Sequence, residues 1–394
     1  MLQDHRGLTR FSYLLGAFGA CPNDGSEHAF NVSRRFFTAG ELPHHRFGSA
    51  HLTFHADIGF CVPCKESTNK TATAAISLDL ISMIPVLIDC DTGIDDALAL
   101  MYLAALHHEG EVELVGATTT AGNVDITQTA INTRWVLDKC GLGHIPVSAG
   151  QPGPLQVPLT TTPETHGEFG LGYINPGAQD ISQDSWQDVW RNAIGRHPDL
   201  RLIVTGPATN LATFGAVRNT TLMGGSYLYS GNTTPTAEWN TWVDPHGAKQ
   251  AFAQATNPIT VCSLGVTERF TINPQTLDAL IDALGTTPIA AYLPEMLRFY
   301  FEFHDSQGEG YLAQIHDLLT VMIALGKIPF STRKVTVDVE AESELMRGTT
   351  VADLRGHWGR KANALLVDDV DVDAAHAELL RAAILLNRFA SEVT

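Results

Sequence analysis

The chain has 394 residues, 44% hydrophobic and 17% charged, a composition that suits a globular core and excludes a disordered or fibrous polymer. Its 43 acidic residues outnumber 25 basic ones, for a formal charge of -18, so a nucleic-acid scaffold is excluded and small ligands or metal ions are the expected partners. Six irregularly spaced cysteines make no extracellular disulfide framework, and no apolar run reaches the roughly 18 residues of a membrane span, so a cytoplasmic protein that neither enters a membrane nor binds nucleic acid is expected.

Residues 1–82 lack a sustained apolar period of 2 or 3.6 and are rich in His, Phe, Ser and Thr. A poorly ordered N-terminal extension is expected there. The opening "LTRFSYLLGAFGAC" is preceded by Asp4 and diluted by Ser12 and Gly16, which argues against a signal peptide. His51, His55, Cys61 and Cys64 match no common zinc-finger order, and incidental residues are the simpler reading. Patterning begins at Met83, so residues 83–394 are expected to fold as one domain. A chain starting at Met83 that failed to fold would refute that boundary.

"MIPVLIDCD" reads as a buried strand in which Leu87, Asp89 and Asp91 share one face and Ile88 and Cys90 the other. Gly93 then permits a tight turn, and Asp95 and Asp96 enter the first turn of the helix "DDALALMYLAAL". Further along, "VELVGATTT" (112–120), "LRLIVTG" (200–206), "PITVCSLGV" (258–266) and "KVTVDVE" (334–340) read as strands. Between them, "ITQTAINTRWVLDKC" and "HDLLTVMIAL" have helical periods. This alternation predicts an α/β fold, an open, mostly parallel sheet with helices on both faces, Rossmann-like, with its ligand site beyond the carboxyl ends of the strands.

The joint at Asp89, Asp91, Asp95 and Asp96 carries more charge than capping explains. A helix N-terminus favours a nearby anion by only about 0.3 to 1 kcal/mol. Two carboxylates about 5 Å apart repel by roughly 3 kcal/mol at an effective dielectric near 20. A divalent cation resolves the conflict; the plain alternative is a capped helix whose acids point separately into water. A calcium loop of the EF-hand type starting at Asp89 fails, because Ile94 and Leu100 stand where Gly and Glu are needed. Remaining ligands must come from elsewhere. "IVTGPATNLA" offers backbone carbonyls after Thr205, with Thr209 or Asn210 able to cap the next helix. His316 and Asp317 open an apolar helix, Asn123 follows a strand, and Glu238 and Asn240 would lie side by side if extended. His166 sits in the Gly-punctuated "THGEFGLG", whose composition suits a mobile lid.

"DCDTGIDDALAL", "TAGN", "THGEFGLG", "VTGPATNLA", "MGGS", "GN", "AEWN" and "HDLL" occur in the order and approximate spacing of the nucleoside hydrolases, the inosine-uridine preferring N-ribohydrolases. From 83 to 394 the chain resembles that family. The resemblance implies the nucleoside hydrolase fold, one bound Ca2+, and hydrolysis of ribonucleosides to free base and ribose in purine and pyrimidine salvage. It implies Asp91, Asp96 and Asp317 as carboxylate ligands, with Thr205 giving its backbone oxygen. Asp91 would also be the general base toward a calcium-bound water. Asp95, Asn123, Asn232, Glu238 and Asn240 would grip the ribose, Met223 would line the sugar pocket, His316 would assist departure of the base, and His166 would lie on the closing loop. A homodimer or homotetramer is implied as well.

A carboxylate-rich cavity suits that chemistry, because breaking a ribosyl C–N bond builds positive charge on the sugar. Direct displacement by water is preferred over a covalent sugar intermediate. The chain departs from the family in carrying Thr92 where Pro is usual and Trp239 where Phe is usual. Two rivals stand beside this reading. One is a magnesium-dependent phosphatase of the haloacid dehalogenase type, with Asp89 as nucleophile and "VDDVDVD" (367–373) as a loose acidic motif. The other is a nucleoside- or calcium-binding protein without catalysis.

Overall fold

The computed structural model describes residues 83–393 and, separately, the backbone of a short antiparallel hairpin, β1 (Phe18–Ala20) and β2 (Glu27–Ala29). The rest of the expected N-terminal extension, with the His51, His55, Cys61 and Cys64 set, lies outside the described residues. The chain divides into two compact units, Met1–Leu80 and Ile81–Thr394, and every patterned segment of the sequence belongs to the second.

The strands of this second unit are β3 (Ile84–Cys90), β4 (Val112–Thr119), β5 (Val147–Ala149), β6 (Arg201–Val204), β7 (Thr220–Met223), β8 (Ile259–Cys262), β9 (Thr271–Ile272), β10 (Ala313–Gln314), β11 (Phe330–Val339), β12 (Thr350–Asp353) and β13 (Ala364–Val370). Nine of them form one sheet in the order β12-β11-β13-β8-β7-β6-β3-β4-β5, and β9 pairs with β10 apart from it. Every neighbouring pair from β13 to β5 is parallel; β11 runs antiparallel to both β13 and β12. Parallel neighbours need crossover helices, which explains the strand–helix alternation of the sequence.

Helices cover both faces. Val86, Ile88 and Cys90 of β3 pack in one apolar layer with the helices Ile94–Glu109, Leu293–Ser306 and His316–Leu325. Leu87 packs in the other with Trp186–Arg196 and Pro245–Gln254. The period-2 alternation read from "MIPVLIDCD" is thus the alternation of two cores.

From β3 the chain moves through β4 and β5 to one edge, then returns to the other side of β3 with β6, β7 and β8. The order reverses between β3 and β6, and the crevice at their carboxyl ends is where a site is expected. Two sequence readings need correction here. The strand expected over 258–266 stops at Cys262, and Leu264–Thr267 is a helical turn. Thr209 and Asn210 do not cap; they are the first residues inside the helix Thr209–Phe214, which follows Ala208.

Candidate active site

β3 ends at Cys90 and so delivers Asp91 to the crevice, and Gly93 turns the chain so that Asp95 and Asp96 begin the next helix. The first turn of His316–Leu325 brings Asp317 to meet them. One carboxylate oxygen each from Asp95, Asp96 and Asp317 lies within 4.8 Å of the others, and all three residues are buried. Asp96 is fixed from two sides, by the Gly93 amide donating to Oδ2 at 2.8 Å and the Thr205 hydroxyl donating to Oδ1 at 2.7 Å.

Burial, then mutual repulsion, raises these acids. Asp95 is pushed up to about 7 by burial and by Asp96. Asp91 rises by burial, Asp96 and Asp95, and Asp317 by burial, Asp95, Asp96 and Asp91. Asp96 rises by burial. No Lys or Arg enters among these influences, so the cluster has no positive partner from the described residues. Buried carboxylates without one are costly, and an all-oxygen donor set of this kind fits a hard divalent cation. The cluster can bind a divalent metal.

Asp91 stands beside this trio in a slot of its own. Its Oδ2 accepts from the Asn123 amide at 2.8 Å. A Cβ added at Gly122 would sit 2.1 Å from Oδ2, and one at Gly206 would sit 2.9 Å from Oδ1, so both glycines make room for the carboxylate. Asp91 is not one of the tight trio; it is backed by the loop after β4 and stands near enough to Asp96 and Asp95 for their charges to raise it.

Hydrogen bonds link several of the other expected residues. The Thr205 carbonyl accepts from Asn240 Nδ2 at 2.7 Å, and the same nitrogen lies 3.4 Å from Met223 Sδ at the end of β7. Glu238 and Asn240 are not an extended pair. Glu238 caps the helix Trp239–Val243, accepting from the amides of Asn240 at 2.7 Å, Thr241 at 3.1 Å and Gly225 at 2.8 Å. A two-residue spacing places side chains together only in a strand, and here Asn240 is already helical. Asn232 is held against the same segment, its Oδ1 accepting from the Trp239 amide at 3.0 Å.

His166 is buried, and its Nδ1 accepts from the Ile94 amide at 3.2 Å, which leaves the ring proton on Nε2. His316 is also buried, with Nδ1 2.9 Å from Thr267 Oγ1. Burial drives both imidazoles down to about 3, so each is neutral near pH 7 and can donate one hydrogen bond. Tyr300, to which the sequence assigned no role, packs with its ring centroid 5.3 Å from His166 and 4.7 Å from His304.

Asp89 leaves the cluster altogether. It is fully buried, and its Oδ1 accepts from Thr118 Oγ1 at 2.6 Å and Asn210 Nδ2 at 2.8 Å, while Trp190 donates to Thr118 at 2.9 Å. Burial pushes it up to about 6. A carboxylate so enclosed cannot attack a phosphate ester, and in "VDDVDVD" the first two acids pair with Arg333 and Arg269. The phosphatase reading loses both of its supports.

Residues 86–377 match the family described as inosine-uridine preferring nucleoside hydrolase. The chain is 32% identical over 288 residues to the inosine-uridine preferring nucleoside hydrolase of Leishmania major, covering 68% of this chain and 88% of that one. It is 34% identical over 295 residues to the pyrimidine-specific ribonucleoside hydrolase RihA of Shewanella oneidensis, covering 72% and 91%. Among solved structures, the purine-preferring ribonucleoside hydrolase from Gardnerella vaginalis superposes with a TM-score of 0.68 at 24% identity, covering 77% of this chain and 99% of that one, a likeness of fold.

Proposed function

The chain belongs to the inosine-uridine preferring nucleoside hydrolase family, and from that premise we propose that it hydrolyses the N-glycosidic bond of ribonucleosides to a free base and ribose. The observation that carries this reading is the buried cluster of Asp95, Asp96 and Asp317 with Asp91 beside it. We place the activity in residues 83–394.

The metal in this reading is Ca2+, held by Asp91, Asp96, Asp317 and the Thr205 carbonyl. Calcium accepts about six to eight oxygens at flexible angles, which suits ligands drawn from three separate segments. When bound, it neutralises the carboxylates and polarises the oxygens it touches. Asp91, oriented by the Asn123 amide, takes the proton of the attacking water. Asp95, Asn123, Asn232, Asn240 and Glu238 offer oxygens and amides to the ribose, with Met223 lining the sugar pocket. The carboxylates stabilise positive charge on the sugar as the bond breaks.

His316 donates a hydrogen bond to the departing base. The Thr267 hydroxyl has two acceptors in reach, His316 Nδ1 at 2.9 Å and the Ser263 carbonyl at 3.3 Å; donating to the nearer, it leaves the ring proton on the other nitrogen. Replacing His316 by Ala should lower kcat on inosine about 10²-fold. Turnover of p-nitrophenyl riboside, whose leaving group departs without a proton, should change far less. Equal losses on both substrates would remove His316 from this role.

Family members with similar sequences carry different base preferences in their names, from inosine and uridine to pyrimidines alone. A panel of inosine, adenosine, guanosine, uridine and cytidine, read as released ribose, tests the activity and assigns the base. Binding without ribose release would favour the non-catalytic alternative. We also propose a cytoplasmic location, which the free, buried thiols of Cys90, Cys140 and Cys262 suit, and a homodimer or homotetramer that light scattering would reveal. No helix among the described residues is long and apolar enough to cross a membrane.

A further inference from the structure

The helix Ile126–Lys139 carries an asparagine at a fully buried interior position, where Asn is a poor helix former. Its amide is completely used. Nδ2 of Asn132 donates to the Thr92 carbonyl at 2.9 Å and to the Phe169 carbonyl at 2.8 Å, and Gln128 Nε2 donates to Oδ1 at 2.8 Å. Thr92 lies in the turn between Asp91 and Gly93; Phe169 lies in the loop 166–172 that begins with His166. One side chain thus ties the acid turn to the histidine loop.

The loop is shaped for that tie. Gly167, Gly170 and Gly172 all have positive φ, at 86°, 80° and 63°. A Cβ at Gly170 would lie 2.8 Å from Asn132 Nδ2, so only glycine lets the loop backbone come this close. The turn is pinned a second time by the same helix. The Thr92 hydroxyl lies 2.6 Å from Thr133 Oγ1 and 3.3 Å from Cys90 Sγ, while the Thr133 hydroxyl donates to Thr129 O at 2.8 Å. These hydrogen bonds restrain the turn from the side of the helix.

We propose that Asn132 is a positioning residue that holds the His166 loop against the acid turn and so keeps His166 in register with the carboxylates. The proposal rests on the nucleoside hydrolase reading only in taking His166 to face the substrate. The Asn132 side chain bonds to neither His166 nor the carboxylates; its effect passes through the two backbone carbonyls.

The test uses the full chain with Asn132→Asp, which keeps the side-chain shape but removes both donors. Amide hydrogen exchange across 166–172 should accelerate about 10-fold or more while exchange in β3 and β6 stays unchanged. The specificity constant for inosine should fall about 10- to 100-fold, the range seen when groups supporting a site residue are lost. In a His166→Ala background the same substitution should cost less than about 2-fold, because the residue it positions is gone. Unchanged loop exchange, or equal losses in both backgrounds, would overturn the proposal. Should Asn132→Asp fail to fold, Gln128→Ala frees the Asn132 amide to swing; loop exchange accelerated about 3-fold would support the tether, and unaltered exchange would overturn it. A wild-type chain that releases no ribose would sink the hydrolase reading, while loop exchange would still judge Asn132.

Discussion

Replacing Asp91 by Asn should lower kcat about 10²- to 10⁴-fold, the usual contribution of a positioned general base, while one metal ion per chain still binds. The substitution is nearly isosteric, and the amide oxygen can keep the bond from the Asn123 amide that now holds Oδ2 at 2.8 Å. Gly122 and Gly206 leave space around the side chain, so no repacking is forced. Asp95, Asp96 and Asp317 remain as a tight oxygen cluster. What disappears is a group able to take a proton from water. Single-turnover ribose release, with calorimetric metal titration on the same sample, separates the outcomes. Loss of turnover with metal retained supports the base; loss of both would make Asp91 chiefly a ligand.

The stability of the metal-free chain should fall as pH rises, opposite to the usual trend for salt-bridged acids. Asp95 sits at about 7 in the fold, against an ordinary carboxylate value near 3.8, and Asp91, Asp96 and Asp317 are raised in the same direction. A raised folded value means the folded state holds its proton more tightly than the unfolded chain does. The stabilisation is complete below about pH 4 and is lost as pH climbs through about 7. Metal reverses this, because ligation requires the ionised carboxylates and releases their protons. At 100 times its dissociation constant, Ca2+ should add about 2.7 kcal/mol, or roughly 4 °C in Tm for a domain of this size. Thermal melts at pH 5 and pH 8, with chelator and with Ca2+, check this: the Ca2+ gain should be larger at pH 8 and mostly absent in Asp317→Asn. A metal-free chain more stable at pH 8 than at pH 5 would contradict it.

The residues that could be read in advance share a local cause. β3 announced itself by alternation, the acid turn by Gly93 among carboxylates, and Asp317 by standing at the start of an apolar helix. Each signal lies within a few residues of the feature it marks. Asn132, Thr118 and Trp190 gave no such sign, because residues inside an element acquire their partners from segments far away in the chain, and Asn210 reads locally only as a cap. Asp89 was grouped with the other acids by strand alternation alone, and only packing shows Thr118 and Asn210 enclosing it. The run 258–266 read as a single strand because its apolar residues continue past Cys262, and periodicity cannot separate a strand from a following helical turn. Nothing local sets strand direction, so the antiparallel run of β11 was not foreseeable from "KVTVDVE".

The most direct measurement strips the chain of metal, adds Ca2+ in known ratio, and follows ribose freed from inosine and uridine. Turnover should be absent at the start, climb in proportion to added ion, and level off at one Ca2+ per chain. Full turnover in the stripped chain, or saturation with calcium and no ribose from any nucleoside, would contradict a site in which buried carboxylates and one ion act on the sugar together.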